Sequence, residues 1–330
     1  MTKYKIKPLL SVVIPTYNSY LYLDECLKSV INQRDIDFSK IEVLVIDDGS
    51  TDNTSDLISN YENDFIQFFY KTNSGVSSTR NFGVGKSRGE YILFLDSDDV
   101  LELCGLFKII NVIDNKHPDV IAFSGSVFYD GIITKFAPNY TRPQSVCKKI
   151  MKGSDFFVSS ISKNAFFVQP GMYCFKKEIF NENKFIEGIL HEDNPFSVDV
   201  FLHNERKVYC LPDEIYLRRV RANSIMTSNL TENNAFGYQQ SINYIMEKYY
   251  KPMQKKSVKK AVRFFLFKLL RCAYEISIKI DSPYYKSTFL KSYNDLKPNI
   301  FERIRFEEPN YFKAYNWFWR RLRKVHFLRN

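Results

Sequence analysis

Four short apolar runs in the first hundred residues constrain the fold more than anything else in the chain: LLSVVIP (9–15), IEVLVI (41–46), FIQFFY (65–70) and YILFL (91–95). They lack the strict in–out alternation of a strand with one wet face, which suits parallel strands covered on both sides. The segments between them have helical spacing. Leu23, Leu27, Val30 and Ile31 fall on one face of a helix from about Tyr20 to Gln33, with Asn18 or Ser19 as its N-cap. A second helix is expected over residues 77–88. Strand–helix alternation of this kind predicts right-handed crossovers and an α/β, doubly wound, mostly parallel sheet.

The fourth run ends in Asp96, Ser97, Asp98 and Asp99. If the strand continues, Asp96 and Asp98 point to the same side and converge. Ligands of open α/β sheets bind outside the carboxyl ends of the strands. Two convergent carboxylates there call for a cation, and hard oxygen ligands suit Mn2+ or Mg2+. The plainer alternative is an acidic turn capping a helix that starts near Val100. Beyond it, the sequence predicts a helix to about Asn115 and a strand over 119–125. A hairpin is expected over 127–136 around Asp130-Gly131, and two strands in KVYCLPDEIYLRRV broken at Pro212. GMYCFKKEIF reads as a short strand and helix, HEDNPFSVDVFLH as a helix start and body; residues 140–170 show no clear pattern.

Charge divides the chain. Residues 231–330 hold 21 Lys and Arg against 8 Asp and Glu, a net +13; the whole chain has 47 against 37, so residues 1–230 carry 26 against 29, or −3. A boundary near residue 230 follows, with 1–230 as one domain and 231–330 as a basic, aromatic, mainly helical region. Cys26, Cys104, Cys147, Cys174, Cys210 and Cys272 are scattered without paired spacing. That argues for reduced thiols and against a zinc site. LLSVVI follows several lysines like a secretion signal, but Pro15 and TYNS cut it short. No apolar run reaches the roughly 18 residues a membrane span requires, so a cytoplasmic location is expected.

Three acidic clusters stand at element ends: Asp47 with Asp48, Asp96 with Asp98, and Glu192 with Asp193. A carboxylate at the end of a nucleotide-site strand accepts hydrogen bonds from a base or a ribose, although turn and cap chemistry places the same residues. Together with their neighbours these clusters resemble the family 2 glycosyltransferases. SVVIPTYN (11–18), VLVIDDGSTDNT (43–54), NSGVSSTRNFGVGKSRGEYILFLDSDD (73–99) and HEDNPF (191–196) occur in the family's order. The resemblance covers roughly residues 9–225. Its weight comes from the coincidence of motifs, since a lone D-x-D is a weak signal.

The resemblance implies a GT-A-like nucleotide-diphospho-sugar transferase fold with a helical C-terminal subdomain. It further implies a hexosyltransferase-type enzyme that inverts the anomeric carbon. On this reading Asp48 reads the uracil of a UDP-sugar donor, with Pro15, Thr16 and Tyr17 beside it. Asp96 approaches the ribose or donor sugar, Asp98 holds Mn2+ or Mg2+ at the diphosphate, and Arg80 contacts donor phosphate or sugar hydroxyls. Asp193 is the catalytic base and Glu192 its neighbour. Arg218, Arg219 or Arg221 supplies a phosphate clamp. Spacing does not choose among them: alternation puts 219 and 221 on one face and 218 on the other, and Arg219 stands in the expected site. Ser78 and Thr79 replace the family's common alanines, and the Q-x-x-R-W motif of processive relatives is missing. Addition of one sugar to a glycan or lipid-linked acceptor is therefore expected.

The C-terminal region admits two readings. YFKAYNWFWRRLRKVHFLRN (311–330) mixes basic residues with Trp317, Phe318 and Trp319, suiting the anionic inner face of a cell membrane. The other reading is a helical subdomain packed on the catalytic core. Nucleic acid is not an expected partner. A non-catalytic nucleotide-sugar-binding or scaffold protein is the alternative function, and it would be marked by loss of the base or metal carboxylates, none of which is missing.

Overall fold

The computed structural model describes residues 7–61, 65–131, 138–221 and 230–298. Its first half follows the expected alternation: β1 (Leu10–Thr16), α1 (Tyr20–Ile31), β2 (Ile41–Asp47), α2 (Thr54–Ser59), β3 (Ile66–Tyr70), α3 (Val76–Lys86) and β4 (Tyr91–Phe94). β1 lies parallel between β2 and β4, and β3 extends the sheet beyond β2. Successive strand residues go to opposite faces. Val12, Val43 and Leu93 join residues of α1 on one side; Val13, Leu44 and Phe94 join Val84 of α3 on the other. Both faces being covered explains why β1, β2 and β4 are mostly apolar without alternation, and each fully buried Val, Leu, Ile or Phe side chain contributes about 1.5–3 kcal/mol.

The second half departs from a simple parallel sheet. After β5 (Val100–Leu101), α4 (Gly105–Lys116), β6 (Val120–Asp130), β7 (Ile150–Lys152) and α5 (Gly153–Ser162) come β8 (Tyr173–Lys176), α6 (Lys177–Glu182), α7 (Asp193–Leu202) and β9 (Lys207–Arg221). β8 sits antiparallel between β4 and β6, β9 runs parallel to β6, and β5 and β7 pair antiparallel with β9. The result is a mixed sheet in the order β3-β2-β1-β4-β8-β6-β9-β5, with α4 closing the α1 face and α5, α6 and α7 the other.

Three local expectations need correction. The segment after Val100 first forms β5 on β9, and the helix starts only at Gly105. β6 is one strand through Asp130 rather than a strand followed by a hairpin arm; the second arm, 132–136, lies outside the described residues. Pro212 does not break β9. Ala122 pairs with Cys210 and Ser124 with Glu214, so the extra residues around Pro212 bulge out of the ladder. A bulge absorbs a residue with no N–H to donate, and the strand resumes beyond it.

The C-terminal residues 231–298 are helical and packed, as α8 (Glu232–Ile245), α9 (Lys256–Lys279) and α10 (Pro283–Asp295). α5 lies between two cores, Phe156 facing the sheet and Phe157 facing α9. α8 passes so close to the chain before α7 that a Cβ on Gly237 would lie 2.1 Å from the Leu190 carbonyl oxygen. Buried Asp199 of α7 accepts hydrogen bonds from Tyr244 (2.6 Å) and Tyr249 and an ion pair from Lys248 (2.9 Å), which pins the end of α8 to α7. The segment 311–330 with its tryptophans lies outside the described residues. No helix among the described residues is long and apolar enough to cross a membrane.

Candidate active site

The three acidic clusters gather at the carboxyl ends of β1, β2 and β4 and at the start of α7. β4 ends at Phe94, two residues before Asp96, so the chain there is a turn and strand alternation does not apply. Asp96 and Asp98 accordingly take different partners. Asp96 accepts from Arg80 (2.9 Å) on one oxygen and from the Gln169 amide (2.7 Å) on the other. Asp98 accepts from Arg221 at 2.9 Å. Asp99 is not a helix cap: it is buried, accepting from the Tyr216 hydroxyl (2.5 Å) and the Arg219 backbone N–H (2.7 Å). Burial, then the charge of Asp96, pushes the Asp98 carboxyl above its ordinary range, while Arg221 pulls it down.

Arg80 joins this turn to α7. It reaches from α3 across the rings of Phe94 and Phe185, and its second terminal nitrogen donates to Glu192 at 2.7 Å. It is buried, and the charges of Asp96 and Glu192 hold it protonated against the desolvation. Asp193 is the first residue of α7, next to Glu192. Burial, followed by the charge of Glu192, pushes its carboxyl up to about 7; Arg80 and Arg218 act in the opposite direction. Just upstream, His191 (φ 64°) stacks on Tyr238 of α8 with ring centres 4.0 Å apart, and burial lowers its pKa to about 4. A neutral imidazole at this place fits a supporting role for the loop.

At the ends of β1 and β2, the Asp48 carboxylate accepts from the backbone N–H groups of Ser74 (3.0 Å) and Gly75 (2.8 Å) and from Lys71. Its own N–H donates to the Thr16 carbonyl at 2.9 Å, placing Pro15 and buried Thr16 beside it, with Tyr17 exposed at the rim. Asp47 accepts from the Ser50 N–H (2.9 Å) through one oxygen; its other oxygen is buried without a partner. The start of α1 is also held here: Ser19 bonds Ser97 (2.7 Å), and the Tyr20 N–H donates to Asp52 (3.2 Å), so the helix is capped from another segment.

The family model described as glycosyl transferase family 2 matches residues 11–183. The chain belongs to this family. This glycosyltransferase is 27% identical over 66% of its length to the glycosyltransferase GlyG of Streptococcus pneumoniae, covering 73% of that protein. It is likewise 27% identical over 66% of its length to an uncharacterized glycosyltransferase, EpsJ, of Bacillus subtilis, covering 63% of it. Among solved structures it resembles residues 1–349 of Staphylococcus aureus TarS in complex with UDP-GlcNAc, with TM-score 0.60, 22% identity, and coverage of 87% of this chain and 90% of that one. It also resembles the mannosyltransferase PcManGT of Pyrobaculum calidifontis in complex with GDP-Man and Mn2+, with TM-score 0.56, 16% identity, and coverage of 93% and 86%. The GT-A-like fold expected from the motifs is the fold of the glycosyltransferase.

The described residues contain no group of three or more His, Cys, Asp and Glu side chains placed to hold a metal ion. Mn2+ and Mg2+ at phosphate sites need fewer protein ligands, since one or two carboxylates suffice when phosphate oxygens and water complete the shell. Asp98, partly exposed and crowded by Asp96 and Asp99, fits that demand. Arg219, the expected phosphate contact, is placed otherwise. Its guanidinium donates to Glu25, Asp130 (3.3 Å) and the Asp98 carbonyl (2.8 Å), between the rings of Tyr22 and Phe128. Gln169, Tyr216 and Lys71 were not foreseen. Tyr216 alternates with Arg218, which was a usable signal. Gln169 lies in the stretch without a pattern, and Gly171 beside it leaves room for the Tyr216 ring, 2.1 Å from where a Cβ would be.

Proposed function

We propose that the glycosyltransferase moves one sugar, with inversion, from a UDP-sugar to a hydroxyl of a glycan or lipid-linked acceptor. The observation that carries this reading is the Arg80 bridge, which ties the acidic turn after β4 to the Glu192–Asp193 pair at the start of α7. A sugar hydroxyl is a weak nucleophile, so Asp193 takes its proton as the new bond forms. Glu192 is fixed by Arg80 and shapes the acceptor side. Asp48, with Pro15, Thr16 and Tyr17, forms the base pocket, and Asp96 faces the ribose or donor sugar. A divalent cation held by Asp98 would neutralise charge on the departing diphosphate. The uracil preference draws support from the UDP-GlcNAc complex of the TarS relative.

The test is a donor screen: UDP release from a panel of nucleotide sugars, with and without Mn2+. One UDP-sugar is expected to stand out, with release dependent on the cation. Asp98→Ala is expected to weaken Mn2+-dependent UDP binding, and calorimetry showing unchanged affinity would remove Asp98 from the metal site.

The same reading puts the enzyme against an anionic membrane surface through its C-terminal region. On α9, Lys256, Lys260, Phe264 and Lys268 form one exposed row at i, i+4 spacing, with Phe264 41% exposed. Basic residues at an anionic surface contribute about 1 kcal/mol each. Co-sedimentation with anionic vesicles is expected to fall as salt rises, and to fall further in Lys256→Glu/Lys260→Glu. Equal sedimentation of that variant and the parent protein excludes this face.

A further inference from the structure

The Gln169 amide is oriented by its neighbours, and only one way round satisfies them. Its nitrogen lies 2.7 Å from an Asp96 carboxylate oxygen and 3.3 Å from the Tyr216 hydroxyl. A carboxylate accepts and does not donate, so the group facing Asp96 is the NH2, which has two hydrogens to give. One goes to Asp96. The other goes to Tyr216, whose own hydrogen is engaged by Asp99 at 2.5 Å. The amide oxygen is thereby left as an acceptor, and it meets no described residue at hydrogen-bonding distance. The backbone beneath it is held at two points. The Val168 carbonyl accepts from Ser197 of α7 (2.8 Å), and the Gln169 carbonyl accepts from the Met172 N–H (3.0 Å). Pro170, Gly171 and Met172 are buried, with Gly171 against the Tyr216 ring.

The place of Gln169 in the sheet says which part of a ligand it meets. It precedes β8, and β4 lies between β8 and β1. Asp48 stands at the end of β2, beside β1, so the turn after β4 separates Gln169 from the base pocket. A nucleotide sugar laid across these strand ends from Asp48 crosses that turn with its diphosphate and carries its sugar beyond it. We infer that Gln169 is a specificity-determining residue, whose fixed amide oxygen accepts a hydrogen bond from one hydroxyl of the donor sugar beside Asp96. The inference rests on the reading of Asp48 as the base contact of a nucleotide sugar. The amide does not turn round to offer its NH2, because that sets its oxygen against the Asp96 carboxylate. A sugar with a hydrogen to give at this point is therefore favoured. One without it takes water from the amide oxygen and returns no partner, which is how a hydrogen-bonding site rejects an analogue.

The test is a binding cycle by calorimetry, in the full chain with Mn2+ present. The probes are UDP, UDP-glucose, UDP-galactose, UDP-N-acetylglucosamine and UDP-N-acetylgalactosamine, then the monodeoxy forms of whichever sugar nucleotide the parent protein binds most tightly. Removal of the hydroxyl that Gln169 holds is expected to weaken binding to the parent protein about three- to tenfold, the range of one neutral hydrogen bond. Gln169→Met fills similar space without an amide. In that variant the intact sugar and this deoxy form should bind equally, the losses at the other hydroxyls should stay as in the parent, and UDP affinity should be unchanged. Gln169→Asn, which draws the amide back by one carbon, should lose the same discrimination, and it serves where Met disturbs the fold. A residue that only supports Asp96 and Tyr216 behaves differently. Its loss weakens UDP and every UDP-sugar by one factor and leaves the deoxy pattern intact, and that result overturns the proposal. A parent protein that binds neither UDP nor any of the UDP-sugars removes instead the nucleotide-sugar reading on which the proposal rests.

Discussion

Asp193→Asn is expected to lower turnover by roughly 10²–10⁴-fold while leaving UDP affinity unchanged, the signature of a lost general base. The amide nearly matches the carboxylate in shape, so packing at the start of α7 is kept. The pH dependence gives a second handle. Burial and Glu192 push the Asp193 carboxyl up to about 7, so the proposed base is mostly protonated below that pH, and the rate of the parent enzyme should rise through pH 7. The same shift has a consequence for stability. The folded state holds this proton to about pH 7, whereas the unfolded chain releases it near its ordinary value of 3.8. The stability contributed by the bound proton is complete below pH 3.8 and is lost as pH rises to 7. Asn does not ionise, so the variant should gain thermal stability relative to the parent, little at pH 4 and most above pH 7. Melting curves at pH 5 and pH 8 check this. A difference independent of pH, together with full activity, would remove Asp193 from the role.

The parts legible in the sequence were those decided by neighbours along the chain. β1, β2, β3 and β4 were placed to within about a residue, because the fully buried β1, β2 and β4 and the aromatic edge strand β3 each announce themselves by local composition. β9 misled because Pro212 is read as a break in isolation, while β6 on one side lets it bulge. In the acidic turn, the residue types were legible and their partners were not. Alternation correctly grouped Arg219 with Arg221 over Tyr22, but the pairing of Arg219 with Glu25 and Asp130, far off in sequence, was not legible. Alternation failed for Asp96 and Asp98 because β4 stops before them. Gln169 was out of reach, since a residue in an unpatterned segment is defined only by what it touches. The reach of Arg80 to both Asp96 and Glu192 is of the same kind, linking positions 16 and 112 residues away.

That reach makes Arg80→Met the substitution with the largest expected effect on stability. Removing one member of a buried ion-pair network leaves the others charged and uncompensated, at about 3–5 kcal/mol. Met fills similar space over Phe94 and Phe185, so the loss reports charge rather than volume. Adding Glu192→Gln should recover part of it, because one of the two stranded carboxylates is then neutral. A double variant as unstable as the sum of its singles would show that the two residues are not coupled. Arg80→Lys separates folding from catalysis. Its ammonium keeps the charge but is a single centre and does not span two carboxylates as the guanidinium fork does. Arg80 lies among the groups that hold the Asp193 carboxyl down, so a weaker bridge lets that carboxyl rise above about 7. The rising limb of the rate profile in folded Arg80→Lys should therefore move to higher pH, with turnover at pH 7 reduced more than at pH 9. An unmoved limb would mean that Arg80 contacts the donor directly, as the sequence first suggested, and does not act by positioning the base.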